Sequence, residues 1–229
     1  MSVTPWNESL PLYLDHTVLR PEATRADVLR LCAEAREEGF VVIFVPPCYV
    51  DEAVAAVAGT DVRVGIPIGF PLGGHSTHAK VTEAMEAVAH GARVLDMVIN
   101  ISRLKSGDHD LVRQDMAAVV EATPGVNHKV ILETCLLTRE EKITACRLAV
   151  EAGMDYVKTS TGFNQAGATV EDVRLMKEAV AGRAKVKASG GIRDWKATRE
   201  LLEAGADRIG TSASLKILHE WRAALVAVR

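Results

Sequence analysis

One stretch shows the unit from which the fold is built: Ala152-Gly153-Met154-Asp155-Tyr156-Val157-Lys158-Thr159, residues 152–159. A glycine follows a helix-like segment there and precedes a short apolar strand, because glycine takes the left-handed conformation that ends a helix without steric cost. Glycines at such junctions recur along the chain: Gly39, Gly59, Gly91, Gly125, Gly153, Gly182 and Gly205.

The segments between these glycines alternate in their hydrophobic period. Val28, Leu31 and Ala35 recur at helical spacing, whereas residues 41–45 and 130–132 are short and rich in β-branched side chains. A first strand near residues 12–15 and seven junctions give eight strands that alternate with helices. Such strands are parallel with right-handed crossovers, so we predict an α/β protein, a single (β/α)8 TIM barrel domain over residues 1–229. The alternative is an open doubly wound sheet, but that fold usually has fewer strands and a GxGxxG turn that we do not find.

The composition excludes several classes of protein. Hydrophobic residues make up 48% of the chain, and a formal net charge of −3 without a basic block gives no reason to expect nucleic acid. The longest apolar runs are too short for a membrane span, and residues 1–12 do not resemble a secretory signal. The four cysteines show no CxxC spacing, which indicates free thiols in a reducing cytosol. We therefore expect a cytoplasmic protein with neither membrane nor nucleic acid as a partner.

In such a barrel the active site lies at the carboxyl ends of the strands, on the loops that lead into the helices. Polar or conformationally special residues crowd the expected strand ends: Asp15, His16 and Thr17; Pro46, Pro47 and Cys48; Gly69, Phe70 and Pro71; residues 96–100; Glu133 and Thr134; Lys158; Lys187; and residues 210–212.

Two of these residues are lysines at the ends of apolar strands. Burying an ammonium is costly, so Lys158 and Lys187 suggest an amine that loses its proton and attacks a carbonyl. A second ammonium roughly 5 Å away, at an effective dielectric near 20, costs about 3 kcal/mol and lowers a lysine pKa by roughly 2 units. Asp96 on the fourth strand would transfer protons or polarise a water. A buried Lys–Asp–Lys ion network that only stabilises the barrel explains the same residue types, and the residues alone leave this open.

Two neighbouring loops have the composition of a phosphate site. Ser189-Gly190-Gly191-Ile192-Arg193 follows the seventh strand, and Gly210-Thr211-Ser212 follows the eighth. Glycines let backbone N–H groups approach an anion, and barrels often hold phosphate at these two loops. A tight turn and a helix N-cap are the structural alternatives. A small phosphorylated carbonyl compound is the substrate that this pattern suggests.

The chain also carries six distinctive motifs: Leu14-Asp15-His16-Thr17, Gly69-Phe70-Pro71-Leu72-Gly73, Val94-Leu95-Asp96-Met97-Val98-Ile99-Asn100, Glu133-Thr134-Cys135-Leu136-Leu137-Thr138, Val157-Lys158-Thr159-Ser160-Thr161-Gly162-Phe163 and Val186-Lys187-Ala188-Ser189-Gly190-Gly191-Ile192-Arg193. In this order they resemble the deoxyribose-phosphate aldolases, a family of class I, metal-free enzymes of deoxynucleoside catabolism. The resemblance runs nearly from end to end.

The resemblance implies reversible cleavage of 2-deoxy-D-ribose 5-phosphate into D-glyceraldehyde 3-phosphate and acetaldehyde, with no cofactor. It implies that Lys158 forms the Schiff base, that Lys187 tunes the pKa of Lys158 and assists proton transfer, and that Asp96 exchanges protons through a bound water. The positions that it assigns to the phosphate site are Gly162, Gly190, Gly191, Ile192, Arg193, Gly210 and Ser212. The partner would be a small phosphorylated sugar, and we also allow for a homo-oligomer, either a dimer or a tetramer.

Four flanking residues have less specific interpretations. We expect His16 to be a hydrogen-bonded structural histidine, and Asp15 and Thr17 to shape the pocket around substrate hydroxyls or the catalytic water. Cys48 is a candidate pocket residue, with a small buried thiol as the alternative.

The sequence departs from the family at two places. Phe163 stands where some members have a lysine, so the phosphate would depend more on the backbone and Arg193. Some members end in a tail with a terminal tyrosine, whereas this chain ends at Val228-Arg229. Two rival functions stay open: another aldol or isomerisation reaction on a sugar phosphate, and a non-enzymatic phosphate-binding regulator.

Overall fold

The computed structural model describes Trp6 and residues 8–227, with the backbone alone for residue 227. The carboxyl-terminal pair Val228-Arg229, at which the sequence analysis noted the missing tyrosine, lies outside the described residues, as do residues 1–5 and 7.

Over the described residues, eight parallel strands close into a barrel in sequence order, and β8 pairs with β1. The strands are β1 (Leu14–Thr17), β2 (Val42–Phe44), β3 (Arg63–Ile68), β4 (Val94–Val98), β5 (Asn127–Ile131), β6 (Tyr156–Lys158), β7 (Lys185–Ser189) and β8 (Arg208–Thr211). The helices are α1 (Arg25–Glu38), α2 (Val50–Ala56), α3 (Thr77–Ala89), α4 (Ile101–Lys105), α5 (His109–Ala122), α6 (Arg139–Glu151), α7 (Val170–Val180), α8 (Trp195–Glu203) and α9 (Ser214–Ala227). The predicted (β/α)8 barrel is confirmed.

The predicted limits of three strands were wrong. The first strand was expected over residues 12–15, but Leu10–Tyr13 form a 3-10 turn and β1 begins at Leu14. Pro11 fits the start of that turn, where its missing N–H is not needed. Lys187 lies in the middle of β7 rather than at its end, and Gly210 lies within β8 rather than after it.

The helix ends follow the local sequence. Thr24 and Thr138 cap α1 and α6, and each accepts a hydrogen bond from the backbone N–H three residues later, in a capping box. Gly39 ends α1 with a φ of 78°, as expected for a glycine at this place. Of the helices described, none is both long enough and apolar enough to span a membrane.

Side chains alternate along each strand between the helices and the barrel interior. Val157 and Val186 belong to the large apolar core beneath the helices, as their parity predicted. Lys158 and Lys187, which follow these two valines, therefore face the barrel interior. Val42, Phe44 and Val94 form a separate, small apolar cluster inside the barrel.

Gly65 on β3 makes room for the ring of Phe44. A Cβ at position 65 would lie 2.7 Å from two atoms of that ring, closer than carbon atoms pack. The absence of a side chain on β3 thus lets an aromatic ring fill the middle of the barrel.

The variant Gly65→Ala should therefore lower the free energy of unfolding by about 1–3 kcal/mol, since an overpacked interior must shift. Gly74→Ala is the matched control, because a Cβ there meets no heavy atom within 4 Å. Urea denaturation of both variants measures the difference. An unchanged midpoint for Gly65→Ala would show that Phe44 moves aside freely.

Candidate active site

A single carboxylate, that of Asp96, holds three lysines inside the barrel. Its Oδ2 atom accepts hydrogen bonds from Lys158 Nζ and from Lys187 Nζ, each at 2.8 Å. Its Oδ1 atom lies 3.4 Å from Lys129 Nζ. The strand register explains the meeting, because Lys158 pairs with Lys187 and Asp96 pairs with Lys129 on adjacent strands. The structure therefore brings the three predicted catalytic residues together.

Asp15 on β1 continues this cluster toward β8. Its Oδ2 atom is 2.6 Å from Lys187 Nζ, and its Oδ1 atom accepts a hydrogen bond of 2.5 Å from Arg208 Nε. Asp15 is fully buried and is not among the residues that line the large cavity described below. Asp15 thus lies inside the barrel, in contact with Lys187, and its predicted part in shaping the pocket stays a prediction.

The charges in this cluster change one another's protonation. Burial alone would raise the pKa of Asp96, but Lys158, Lys187 and Lys129 outweigh it and lower the pKa well below its usual range. Burial lowers the pKa of Lys158, Asp96 opposes this, and the Lys187 ammonium lowers it further. The ionised carboxylate and the lowered lysine pKa are the combination from which a free amine can form.

Lys129 and Arg208 are members of the cluster that the sequence analysis missed. Lys129 is 1% exposed, and burial lowers the pKa of Lys129 to about 8, against the opposing effect of Asp96. Its signal in the sequence is the one that identified Lys158: a lysine embedded in an apolar strand, here His128-Lys129-Val130-Ile131. Arg208 had a weaker signal, because an arginine at the start of a strand is usually exposed.

Above the cluster a cavity of about 660 Å3 opens at the carboxyl ends of the strands. Lys158 reaches its floor, whereas Lys187 and Asp96 lie below. Nine of the predicted site residues line it: Thr17, Lys158, Gly162, Gly190, Gly191, Ile192, Arg193, Gly210 and Ser212. Lys216 and Arg20 also line it, and each is paired with a carboxylate, that of Glu220 and that of Asp27.

The loops after β5, β6 and β7 are fixed by buried polar contacts. Glu133 has a left-handed backbone with φ 57°, and its carboxylate accepts hydrogen bonds from the side chains of Thr161 and Asn164. Thr159 Oγ1 donates to Ser189 O at 2.9 Å and accepts from Ser189 N at 3.0 Å. A non-glycine residue with a left-handed backbone, such as Glu133, often marks a functional site. Glu133 here holds the loop that carries Gly162 against the cavity.

The other expected residues are placed as follows. Thr17 lines the cavity, although its hydroxyl donates to the Asp15 backbone carbonyl. His16 has the expected structural hydrogen bond, 2.7 Å from Nε2 to Glu34 Oε2, and its ring lies 4.8 Å from that of Phe40. Cys48 is exposed and does not line the cavity, because the 3-10 turn Pro47–Tyr49 directs it outward. The alternative of a buried thiol is thus wrong.

Comparisons with known proteins agree with this geometry. The family model described as DeoC/LacD family aldolase matches residues 10–219. The chain belongs to this family. A deoxyribose-phosphate aldolase from Thermoanaerobacter sp. (strain X514) is 53% identical over 211 residues, which are 91% of this chain and 95% of the relative. One from Brevibacillus brevis (strain 47) is 52% identical over 206 residues, 90% of this chain and 93% of the relative.

Solved structures support the same assignment to the DeoC/LacD aldolases. The aldolase QR15 has a TM-score of 0.90 at 41% identity, covering 95% of this chain and 97% of that protein. The tetrameric deoxyribose phosphate aldolase from Aeropyrum pernix has a TM-score of 0.89 at 32% identity, covering 95% and 93% of the two chains.

Asp15 makes the stability of this aldolase-family barrel depend on pH. Burial raises the pKa of Asp15, but Arg208, Lys187 and Lys129 outweigh it and lower the pKa from 3.8 to about 2. Because the folded-state pKa is depressed, the stabilisation is complete above pH 3.8 and is lost as the pH falls through about 2.

We expect Asp15→Asn to lower the free energy of unfolding at pH 7 by about 2 kcal/mol or more, since Arg208 and Lys187 lose a counter-charge. The variant should also lose less stability than the parent between pH 4 and pH 2. Urea denaturation across this range measures both effects, with the exposed Asp61→Asn as control. A pH dependence identical to that of the parent protein would contradict the assigned ion pairs.

Proposed function

We propose that this protein is a class I aldolase that reversibly cleaves 2-deoxy-D-ribose 5-phosphate to D-glyceraldehyde 3-phosphate and acetaldehyde. The observation that carries the proposal is the position of Lys158. Its amine lies on the cavity floor, 2.8 Å from Asp96, below glycine-rich loops suited to phosphate. Membership of an aldolase family and relatives named deoxyribose-phosphate aldolase support the substrate.

Lys158 is proposed to act as the nucleophile. Its free amine adds to the C1 aldehyde of the open sugar, and loss of water gives an iminium. Removal of the C3 hydroxyl proton then lets the C2–C3 bond break, and its electron pair passes into the iminium to give an enamine. D-Glyceraldehyde 3-phosphate leaves. Protonation of the enamine carbon and addition of water release acetaldehyde and restore the amine.

Asp96 and Lys187 are proposed to move the protons that these steps require. The Oδ2 atom of Asp96 contacts both lysine nitrogens, so a proton can pass between them along hydrogen bonds of 2.8 Å. Because the pKa of Asp96 is held low, the carboxylate stays ionised and keeps Lys187 fixed beside the reacting amine. A bound water would complete the path to the substrate, as the family resemblance implies.

The phosphate is proposed to lie at the loops after β7 and β8. Gly190 and Gly191 have φ values of 88° and 76°, a conformation that glycine takes freely and in which successive backbone N–H groups can line a concave anion site. Arg193 lines the same wall. Phe163 stands where some family members have a lysine, and its ring contacts that of Phe70 edge to face at 5.2 Å. This edge of the cavity is therefore apolar.

Cys48 keeps its proposed place among the substrate-binding residues only if the loop after β2 moves, since its thiol faces away from the cavity. A homo-oligomer, either a dimer or a tetramer, stays a prediction, and the tetrameric relative from Aeropyrum pernix supports it.

The variant Lys158→Ala should lower kcat for release of acetaldehyde from 2-deoxy-D-ribose 5-phosphate by roughly 10^4-fold or more, because the nucleophile is removed. Lys105→Ala is the control, since Lys105 is exposed and pairs with Glu141 outside the cavity. A coupled assay with alcohol dehydrogenase measures acetaldehyde. Full activity in Lys158→Ala would exclude the proposed nucleophile. Failure of the parent protein to cleave this sugar would favour a different reaction on a sugar phosphate or a non-enzymatic role.

The variant Arg193→Ala should raise KM for the phosphorylated sugar roughly tenfold, because a charge-assisted contact is lost at a partly solvated site. The KM for unphosphorylated 2-deoxyribose should not change, which makes this sugar the internal control. Equal effects on both sugars would place Arg193 outside the phosphate site.

A further inference from the structure

A second cavity, of about 490 Å3, lies at the opposite end of the barrel from the proposed active site. It opens at the amino ends of the strands, where Arg63, Tyr156, Lys185 and Arg208 are the first residues of β3, β6, β7 and β8. The loop before β7 contributes Arg183. The aldol reaction proposed above has no use for this cavity.

The charge of this amino-end cavity is strongly positive. Its lining contains five cationic residues, Arg63, Lys129, Arg183, Lys185 and Arg208, against a single acidic one, Asp155. The carboxylate of Asp155 already accepts hydrogen bonds from the His128 backbone N–H and the Asn127 side chain, at 2.8 and 3.0 Å.

Most of this positive charge is not neutralised by the protein. Within the part of the chain that the structure describes, only Lys129 and Arg208 of the five cations have a carboxylate oxygen within 4.0 Å. The other three are exposed at the mouth of the cavity. Like charges gathered in a cleft raise the local concentration of anions.

Two buried nitrogen atoms along this cavity also lack a hydrogen-bond acceptor. Lys129 Nζ has no hydrogen-bond partner among the described residues, although the side chain is 99% buried. Arg208 Nη2 is likewise unsatisfied, while the Nε and Nη1 atoms of the same guanidinium are occupied by Asp15 and the Leu12 carbonyl. Both atoms are shielded from solvent, so they act on a ligand in the cavity through their positive charge and not through direct contact.

We propose that the amino-end cavity is a second anion site, which binds a small phosphate-bearing molecule with at least two negative charges. The guanidinium groups of Arg63, Arg183 and Arg208 have the planar donor geometry that matches phosphate oxygens. Lys129 lines the inner wall of the cavity, and its buried ammonium adds positive charge behind that wall. A polycarboxylate has similar charge but a different shape, and it is the alternative that the experiment must exclude.

Lys129 also connects this site with the catalytic carboxylate. Lys129 lines the amino-end cavity, and its buried ammonium lies 3.4 Å from Asp96 Oδ1. An anion below the barrel floor would therefore act on the charge balance around Asp96 without entering the cavity above it. The inference does not depend on the proposed aldol reaction, since binding is measured without turnover.

The charge of Lys129 makes the affinity for an anion depend on pH. Burial lowers the pKa of Lys129 to about 8, so the ammonium is present at pH 7 and is lost as the pH rises through 8. The titratable or charged groups that surround it are Asp15, Asp96, Tyr156, Lys187 and Arg208. Burial raises the pKa of Tyr156, which keeps that phenol uncharged over the same range.

Isothermal titration calorimetry with pyrophosphate at pH 7 tests the site. The double variant Arg183→Ala/Lys185→Ala should lose one binding event or weaken it roughly tenfold. The matched control Arg147→Ala/Arg174→Ala removes the same charge from the exposed faces of α6 and α7 and should bind as the parent protein does. Because the phosphate site above the barrel is intact in both variants, it cancels in the comparison.

Two results of this titration would overturn the proposal. Pyrophosphate binding that is the same in both double variants would show that the amino-end cavity holds no anion. Citrate binding that is lost in Arg183→Ala/Lys185→Ala, with pyrophosphate binding unchanged, would replace the phosphate-bearing ligand by a polycarboxylate.

A second titration, with sulfate as the ligand, tests the role of Lys129. Sulfate keeps its charge from pH 7 to pH 9.5. The affinity of the parent protein for sulfate should fall severalfold over this range, and the fall should be absent in Lys129→Met. The same fall in Lys129→Met would show that the charge of Lys129 does not act on the bound anion.

Discussion

The rest of this structure depends on one constraint: the interior of the barrel holds more cationic side chains than carboxylates. Four cationic side chains share the interior with two acidic ones: Lys129, Lys158, Lys187 and Arg208 with Asp15 and Asp96. All six are largely shielded from water, so the excess positive charge is costly. Release of a proton from one lysine lowers this excess of positive charge. Lys158 is the lysine that combines a lowered pKa with access to the cavity, which is why the reactive amine is proposed there.

The backbone makes room for this cluster by omitting side chains. A Cβ at Gly65 would collide with the ring of Phe44, and one at Gly210 would lie 2.8 Å from Lys187 Cε. The ring of Phe44 lies 3.9 Å from Lys187 Nζ and 5.5 Å from Lys158 Nζ, within the range of a cation–π contact. Two glycines, one on β3 and one on β8, thus allow lysines and an aromatic ring to fill a space that branched apolar residues usually occupy.

Much of the fold and the centre of the site could be predicted from the sequence. Glycines between helix-like and strand-like segments predicted the eight strands, and the alternation of side chains along them predicted that Lys158 and Lys187 face inward. Lysine embedded in an apolar strand is a strong signal, because its burial needs a chemical reason. Lys129 carried the same signal, but its place in the middle of β5 put it outside the strand ends at which sites were sought.

The remaining features depend on distances across the barrel that no local pattern encodes. Asp15 was expected to shape the pocket because it follows a strand-like run, and the register of β1 with β8 places its carboxylate inside the barrel beside Arg208. Cys48 is exposed in a 3-10 turn of three residues after β2 and does not line the cavity. The cavity at the amino ends of the strands is formed by residues from six strands, two loops and α6, so only the closed barrel reveals it.

Borohydride reduction in the presence of 2-deoxy-D-ribose 5-phosphate, followed by peptide mass spectrometry, tests the central claim most directly. A Schiff base that forms on the uncharged amine of Lys158 predicts a reduced adduct on the peptide that contains this lysine, and no adduct in Lys158→Ala. An unmodified Lys158 peptide under conditions of turnover, or an adduct on Lys129 or Lys187 instead, would contradict the account.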